Sequence, residues 1–154
     1  MSDSEYYPEC GMCFEAPGKQ VCSGCHKARY CSRSCQERAW EIHIFKCNTT
    51  RKPKSYQLLV RDIAEDCIPT NRKVLRDWGF DRCKTEREIT YLFNVYVGTY
   101  KILDIPMKTL DQWRRSGVLF EELKKIHDGM PEEARGAYLP WLMKNKHILD
   151  PSPP

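Results

Sequence analysis

Eight residues able to hold a metal ion stand in pairs within the first third of the chain: Cys10-x2-Cys13, Cys22-x2-Cys25, Cys31-x3-Cys35 and His43-x3-Cys47. A two-residue gap closes a tight turn that sets two sulfurs on one ion. A three-residue gap does the same along one face of a helical turn. Eight ligands make two tetrahedral zinc shells, one of four thiolates and one of three thiolates with an imidazole. Spacing admits two pairings. Sequential pairing joins Cys10, Cys13, Cys22 and Cys25 on one ion. Interleaved pairing joins Cys10, Cys13, Cys31 and Cys35 on the first zinc, and Cys22, Cys25, His43 and Cys47 on the second. Either way each shell is filled by four protein atoms, which makes the two zinc ions structural. The segment is too short and too polar for an ordinary core, so metal binding must supply much of its folding free energy.

The elements that position these ligands are legible in outline. Pro17-Gly18 marks a turn, Gln20-Val21 and Ala28-Arg29-Tyr30 read as short strands, and Cys22-Ser23-Gly24-Cys25 is the knuckle joining them into a hairpin. From Ser32, a capping residue, SRSCQERAWEIHIFKC runs without Pro or Gly and predicts a helix. The stretch NTTRKPKS is polar, basic and proline-interrupted, a linker. Beyond it the pattern is helical. Residues 56–68 end at Pro69, Thr70 caps a short helix with Val74, Leu75 and Trp78, and Gly79 closes it. Thr85-x-x-Glu88 is a capping box opening a helix over about 86–103, with Ile89, Leu92, Phe93, Tyr96 and Tyr100 on one side. Leu110 and Trp113 belong to a helix stopping near Ser116-Gly117, and Leu119 to Ile126 to one closed by Gly129. Pro131 begins the last helix, in which Pro140 forces a kink or break. The aromatic residues from 93 to 141 are expected almost wholly in the core. The plan is an N-terminal arm (1–9) with Tyr6, Tyr7 and Pro8 able to pack on the first knuckle, a zinc module (10–47), a linker (48–55), a helical domain (56–149) and a Pro-rich tail (150–154). The fold class is α+β, a short β-hairpin with helices around two zinc ions, followed by an all-α helical domain.

Composition narrows the function. The opening MSDSEYYPE lacks the apolar stretch of a signal peptide, and no apolar run approaches the roughly 18 residues of a membrane span. An intracellular protein, nuclear or cytoplasmic, with reduced thiols is expected. Of nine cysteines, Cys67 and Cys83 remain after the ligands and read as buried small hydrophobes. The formal charge of +4 becomes +1 once seven thiolates and two zinc ions are counted. Residues 1–50 balance six basic against six acidic side chains, while 51–154 carry nineteen against fifteen. That is far from the basic excess of a dedicated nucleic-acid binder, the alternative that a zinc module with a basic second half raises. Arg33, Arg38 and Lys46 of the expected helix are offset by Glu37 and Glu41. The linker trio Arg51, Lys52 and Lys54 reads as solvated, and His26, His127 and His147 lack metal spacing to any partner.

The run CSGCHKARYCSRSCQERAWEIHIFKC resembles a MYND-type zinc finger, whose pattern is C-x2-C, C-x2-C, Y-C-x3-C-Q, then W, H and C. Tyr30-Cys31, Cys35-Gln36, Trp40, His43 and Cys47 all fall on it. The resemblance covers about residues 10–47 and implies the interleaved, cross-braced zinc sites. It also implies a protein-interaction module, since such fingers bind proline-rich peptides, commonly of Pro-x-Leu-x-Pro type, as an added strand. By that resemblance Ser23, Gln36 and Trp40 form the groove, beside the strand edge near Cys22–Ser23. Turn chemistry at Ser23, a solvated Gln36 and simple packing of Trp40 on the zinc core are the competing readings. The expected role is an adaptor, or a transcriptional co-regulator. MYND fingers also occur within SET-domain lysine methyltransferases, but this chain has no Asn-His-x-Cys-type segment and no Gly-rich cofactor loop, so no enzyme is expected. The stretch EEARGAYLPWLMKNKHILD resembles regions after the finger in small stand-alone MYND proteins of fungi.

Overall fold

A computed structural model describes residues 7–45, 47 and 52–150, with the backbone alone at Glu41 and Ile42. The expectations for 1–6 including Tyr6, for Lys46, for 48–51 including Arg51, and for 151–154 of the tail lie outside the described residues. Two compact units divide between Gln57 and Leu58.

In the first unit Gln20–Val21 (β1) and Arg29–Tyr30 (β2) pair antiparallel, Gln20 opposite Tyr30 and Val21 opposite Arg29. The Cys22 N–H donates to the Ala28 C=O at 2.8 Å. Ladder bonds therefore fall at Gln20/Tyr30 and Cys22/Ala28 and skip Val21/Arg29, whose amide groups point outward. On the β2 side the edge is covered, because the Gly11 N–H donates to the Arg29 C=O at 2.8 Å. On the β1 side, among the described residues, Val21 takes no backbone partner, and its side chain is 39% exposed. Tyr7 to Glu9 are tied to this unit: the Gly18 N–H donates to the Pro8 C=O at 2.7 Å, Glu9 bridges Pro17, and the Arg29 guanidinium stands 6.0 Å from the Tyr7 ring centre. The helix Arg33–His43 (α1) follows, with the Ser32 hydroxyl accepting the Cys35 N–H at 3.2 Å as an N-cap does.

Ser55–Ala64 (α2) buries Leu59, Val60 and Ile63. It stops four residues before the expected Ile68. Asp66 takes φ +53°, the Cys67 N–H reaches back to the Asp62 C=O at 2.8 Å, and the Asp66 N–H reaches the Ile63 C=O at 3.2 Å. This pair of bonds is a Schellman stop. Cys67 falls past it and is exposed, contrary to expectation, while Cys83 is half-buried. The cap of Arg72–Asp77 (α3) is Asn71, not Thr70: its side-chain oxygen accepts the N–H groups of Lys73 and Val74 at 2.9 and 3.3 Å, which Thr70, one residue further out, does not.

Gly79, at φ +90°, turns the chain into a 3-10 turn at Phe80–Arg82. The helix Glu86–Val97 (α4) opens with the Thr85 hydroxyl accepting the Glu88 N–H at 3.1 Å, while the Glu88 carboxylate accepts the Lys84 N–H at 2.8 Å. It runs on as a π-helical turn, Gly98–Ile102, and buries Leu92, Phe93 and Tyr96. The buried Tyr96 hydroxyl donates to the Trp78 C=O at 2.6 Å, the two rings meeting edge to face at 5.3 Å. Met107–Arg115 (α5) and Leu119–Gly129 (α6) follow. Pro131 opens only a 3-10 turn, Glu132–Ala134, and the last helix is Tyr138–Met143 (α7). Pro140 neither kinks nor breaks it, because it stands in the first turn, where its missing N–H has no helical acceptor to lose. A closing 3-10 turn, Lys146–Ile148, is pinned where the Ile148 C=O accepts the Arg82 Nε–H at 2.6 Å. The aromatic set is also less buried than expected. Phe93, Tyr96 and Phe120 are core, Tyr100, Trp113 and Trp141 are half-buried, and Tyr138 is 40% exposed.

Candidate metal centre

Each C-x2-C pair sits on the same backbone device. The N–H of the residue after the second cysteine returns to the C=O of the first, Phe14 to Cys10 at 3.1 Å and His26 to Cys22 at 2.8 Å. Those two residues carry φ +57° and +58°, the left-handed conformation that completes the turn. The inside of the second knuckle has no room to spare. A Cβ at Gly24 would stand 2.9 Å from the Cys47 sulfur and 3.6 Å from that of Cys22.

Helix α1 and its flanks carry the other halves. Cys31 lies two residues before it, Cys35 in its first turn and His43 at its end, with the Cys47 N–H bonded to the His43 C=O at 2.9 Å. The ligand atoms gather into two groups, Cys10, Cys13, Cys31 and Cys35, and Cys22, Cys25, His43 and Cys47, each with all atoms within 4.8 Å of one another. Sulfur separations are 3.8 Å for Cys13–Cys31, 3.5 Å for Cys31–Cys35 and 3.8 Å for Cys22–Cys47, and the His43 Nε2 lies 3.5 Å from the Cys25 sulfur. A tetrahedral ion with Zn–S bonds near 2.3 Å needs ligand atoms about 3.8 Å apart. Both groups fit structural zinc, and the pairing is interleaved.

Cys35 and His43 are eight positions apart, about 12 Å of helix, so α1 acts as a strut between the shells. Its positive N-terminal end faces the four-thiolate shell, the more negative of the two once zinc is bound, which favours that arrangement. Tyr30 lies buried between the shells, and its hydroxyl is pushed above its ordinary value by burial and by the cysteines of both shells. The apolar core of this unit is Cys10, Tyr30 and Cys35, with Met12, Cys13, Ala28, Cys31 and Ala39 packed against it. Half of that core is metal ligand.

The metal-free thiols hold protons unevenly. Burial raises the Cys10 thiol, but the backbone N–H groups of Cys13, Cys31 and Met12 outweigh it and bring it down to about 6. Backbone N–H groups of Ala28 and Lys27 lower Cys25. Cys31, sharing its proton with Cys35, is pushed up to about 12, and burial with the neighbouring Cys22 pushes Cys47 to about 11. Four sulfurs at one point cannot all carry charge without a cation to balance them.

The family model of the MYND finger matches residues 10–47. Residues 10–47 are a MYND finger. The MYND finger is a zinc-binding protein-interaction module, and here it spans under a third of the chain. Among curated proteins and among solved structures nothing matches.

The three expected groove residues are placed as follows. Ser23 is exposed in the second knuckle. Gln36 and Trp40, one turn apart on α1, are half-buried. The Trp40 ring meets His43 edge to face at 5.8 Å, so it packs on the second shell while part of it stays in water. Sequence reasoning left Gly24 as a turn residue; its closeness to the Cys47 sulfur is visible only once the two are folded together. Among the described residues no helix is long and apolar enough to cross a membrane.

Proposed function

We propose that the finger captures proline-rich segments, of Pro-x-Leu-x-Pro type, along the open edge of β1, and that the protein acts as an adaptor. The observation that carries this reading is the outward-facing Val21 N–H and C=O, without a backbone partner among the described residues. An extended peptide adds to such an edge by main-chain hydrogen bonds and takes its specificity from side-chain pockets alongside. Supporting residues are held through the second zinc shell. Ser23 belongs to the knuckle of Cys22 and Cys25; Cys25 stands against His43, His43 against Trp40, and Gln36 lies one turn before Trp40. The Trp40 ring supplies a surface for a proline, and Gln36 and Ser23 supply polar contacts. Zinc shapes this groove without taking part in chemistry, since four protein ligands close each shell.

The test is titration of isotope-labelled protein with a Pro-x-Leu-x-Pro peptide and its Leu→Ala control. Saturable amide shifts at Val21, Ser23, Gln36 and Trp40, lost with the control peptide, are expected. Absence of shifts at millimolar peptide would sink the reading.

A further inference from the structure

The helical unit carries a cluster of aromatic rings where α4 meets α7, part of it open to solvent. Tyr91 of α4 meets Tyr138 of α7 at 5.1 Å and 84°, and Trp141 of α7 at 5.6 Å and 80°. Two rings thus stand nearly perpendicular to a third. Tyr138 is 40% exposed and Tyr91 and Trp141 are half-buried. Among the described residues the Trp141 indole N–H and the Tyr138 hydroxyl hold no hydrogen bond. The Arg87 guanidinium lies 5.1 Å over the Tyr91 ring and donates to its hydroxyl at 3.0 Å, and no carboxylate among the described residues pairs with it.

We propose that Tyr91, Tyr138 and Trp141, with Arg87 and Lys144, form a docking surface for a proline-rich segment in the polyproline II conformation, flanked by acidic residues. Three features select this occupant. Tyr138 and Trp141 are three apart on one helix, about 5–6 Å at their Cβ atoms. Polyproline II rises about 3.1 Å per residue, so alternate prolines are spaced to lie against the successive rings of Tyr138 and Trp141. The free groups on Tyr138 and Trp141 are donors, and a proline-rich chain offers carbonyls unbonded within itself and has no proline N–H to satisfy. Charge decides the flanks. Arg87 lies one turn before Tyr91, and the exposed Lys144 one turn after Trp141, both without ion pairs among the described residues. A carboxylate near either end of the peptide would meet a cation.

This surface stands independently of the finger, and the probe keeps the two apart. Isotope-labelled full-length protein is titrated with an oligoproline peptide bearing a glutamate at each end and containing no leucine. The expected result is a saturable shift of the Trp141 indole N–H and of amides at 138–144, retained in Trp40→Ala. Tyr138→Ala and the conservative Trp141→Phe, which keeps a ring but removes the donor, should each weaken binding about tenfold. Arg87→Gln should weaken the glutamate-flanked peptide and leave an uncharged oligoproline unchanged. No shift at millimolar peptide, shifts confined to the finger, or shifts surviving both Tyr138→Ala and Trp141→Phe would overturn the proposal.

Discussion

At the scale of single residues, the second zinc shell is most exposed to a change that touches no ligand. A Cβ at Gly24 would stand 2.9 Å from the Cys47 sulfur, closer than real Cβ atoms come, with the Cys22 sulfur also against it. Gly24→Ala is expected to weaken zinc retention at that shell about ten- to a hundredfold, as loss of a supporting neighbour does at other metal sites. Competition with a chromophoric chelator should show one zinc released early and one retained. The thiols make a second prediction. Cysteine thiols, with an ordinary pKa of about 8.5, carry protons at neutral pH in the metal-free chain. Zinc must displace them, so affinity rises with pH and acid releases metal. Calorimetry in buffers of different ionisation enthalpy should count at least one proton released per zinc near pH 7.

At the scale of elements, local signals and close approaches do different work. The Thr85 hydroxyl caps α4 through a bond to the Glu88 N–H, exposed to solvent, and Thr85→Ala should cost about 1 kcal/mol in denaturant melts. Gly79 is harder to replace, for two reasons that act together. Its φ of +90° disfavours any side chain, and a Cβ there would meet the Ile148 C=O at 2.7 Å, the same carbonyl that accepts the Arg82 side chain. Gly79→Ala is expected to destabilise by about 1–3 kcal/mol and to free the turn at Lys146–Ile148. Amide exchange at 146–149, faster than in the parent, is the measurement that separates this from a general loss of stability.

At the scale of the molecule, two units rest on different physics. The finger has a core half made of its own zinc ligands, while the helical unit buries Trp78, Tyr96 and a set of Leu, Ile and Val side chains. Chelation should therefore collapse the amide signals of the finger, and Cys31→Ser or Cys47→Ser should do the same, while signals from α4 and α7 persist. Mass spectrometry under native conditions should find two zinc ions on the intact chain, and a folded finger carrying one or none would refute the two-shell assignment.

Sequence alone determined what is set by neighbours along the chain. The eight ligands, the hairpin strands, the Ser32 cap, the Thr85 cap and most helix spans are local, since turn closure and helical periodicity act over a few residues. Local signals also misled where two of them competed. The apolar pattern ran on through Cys67 and Ile68, yet a Schellman stop at Asp66 ended α2 first, and Thr70 and Asn71 both had capping chemistry of which only Asn71 was in reach. Spacing left the ligand pairing open between two arrangements, and resemblance pointed to one. Tertiary structure decided it, because which sulfurs share an ion depends on how α1 lies across the two knuckles. The same holds for Gly24 against Cys47 and for Tyr91 among Tyr138 and Trp141. Such meetings join residues far apart in the chain, and no periodicity records which side of a helix finds a partner and which stays in water.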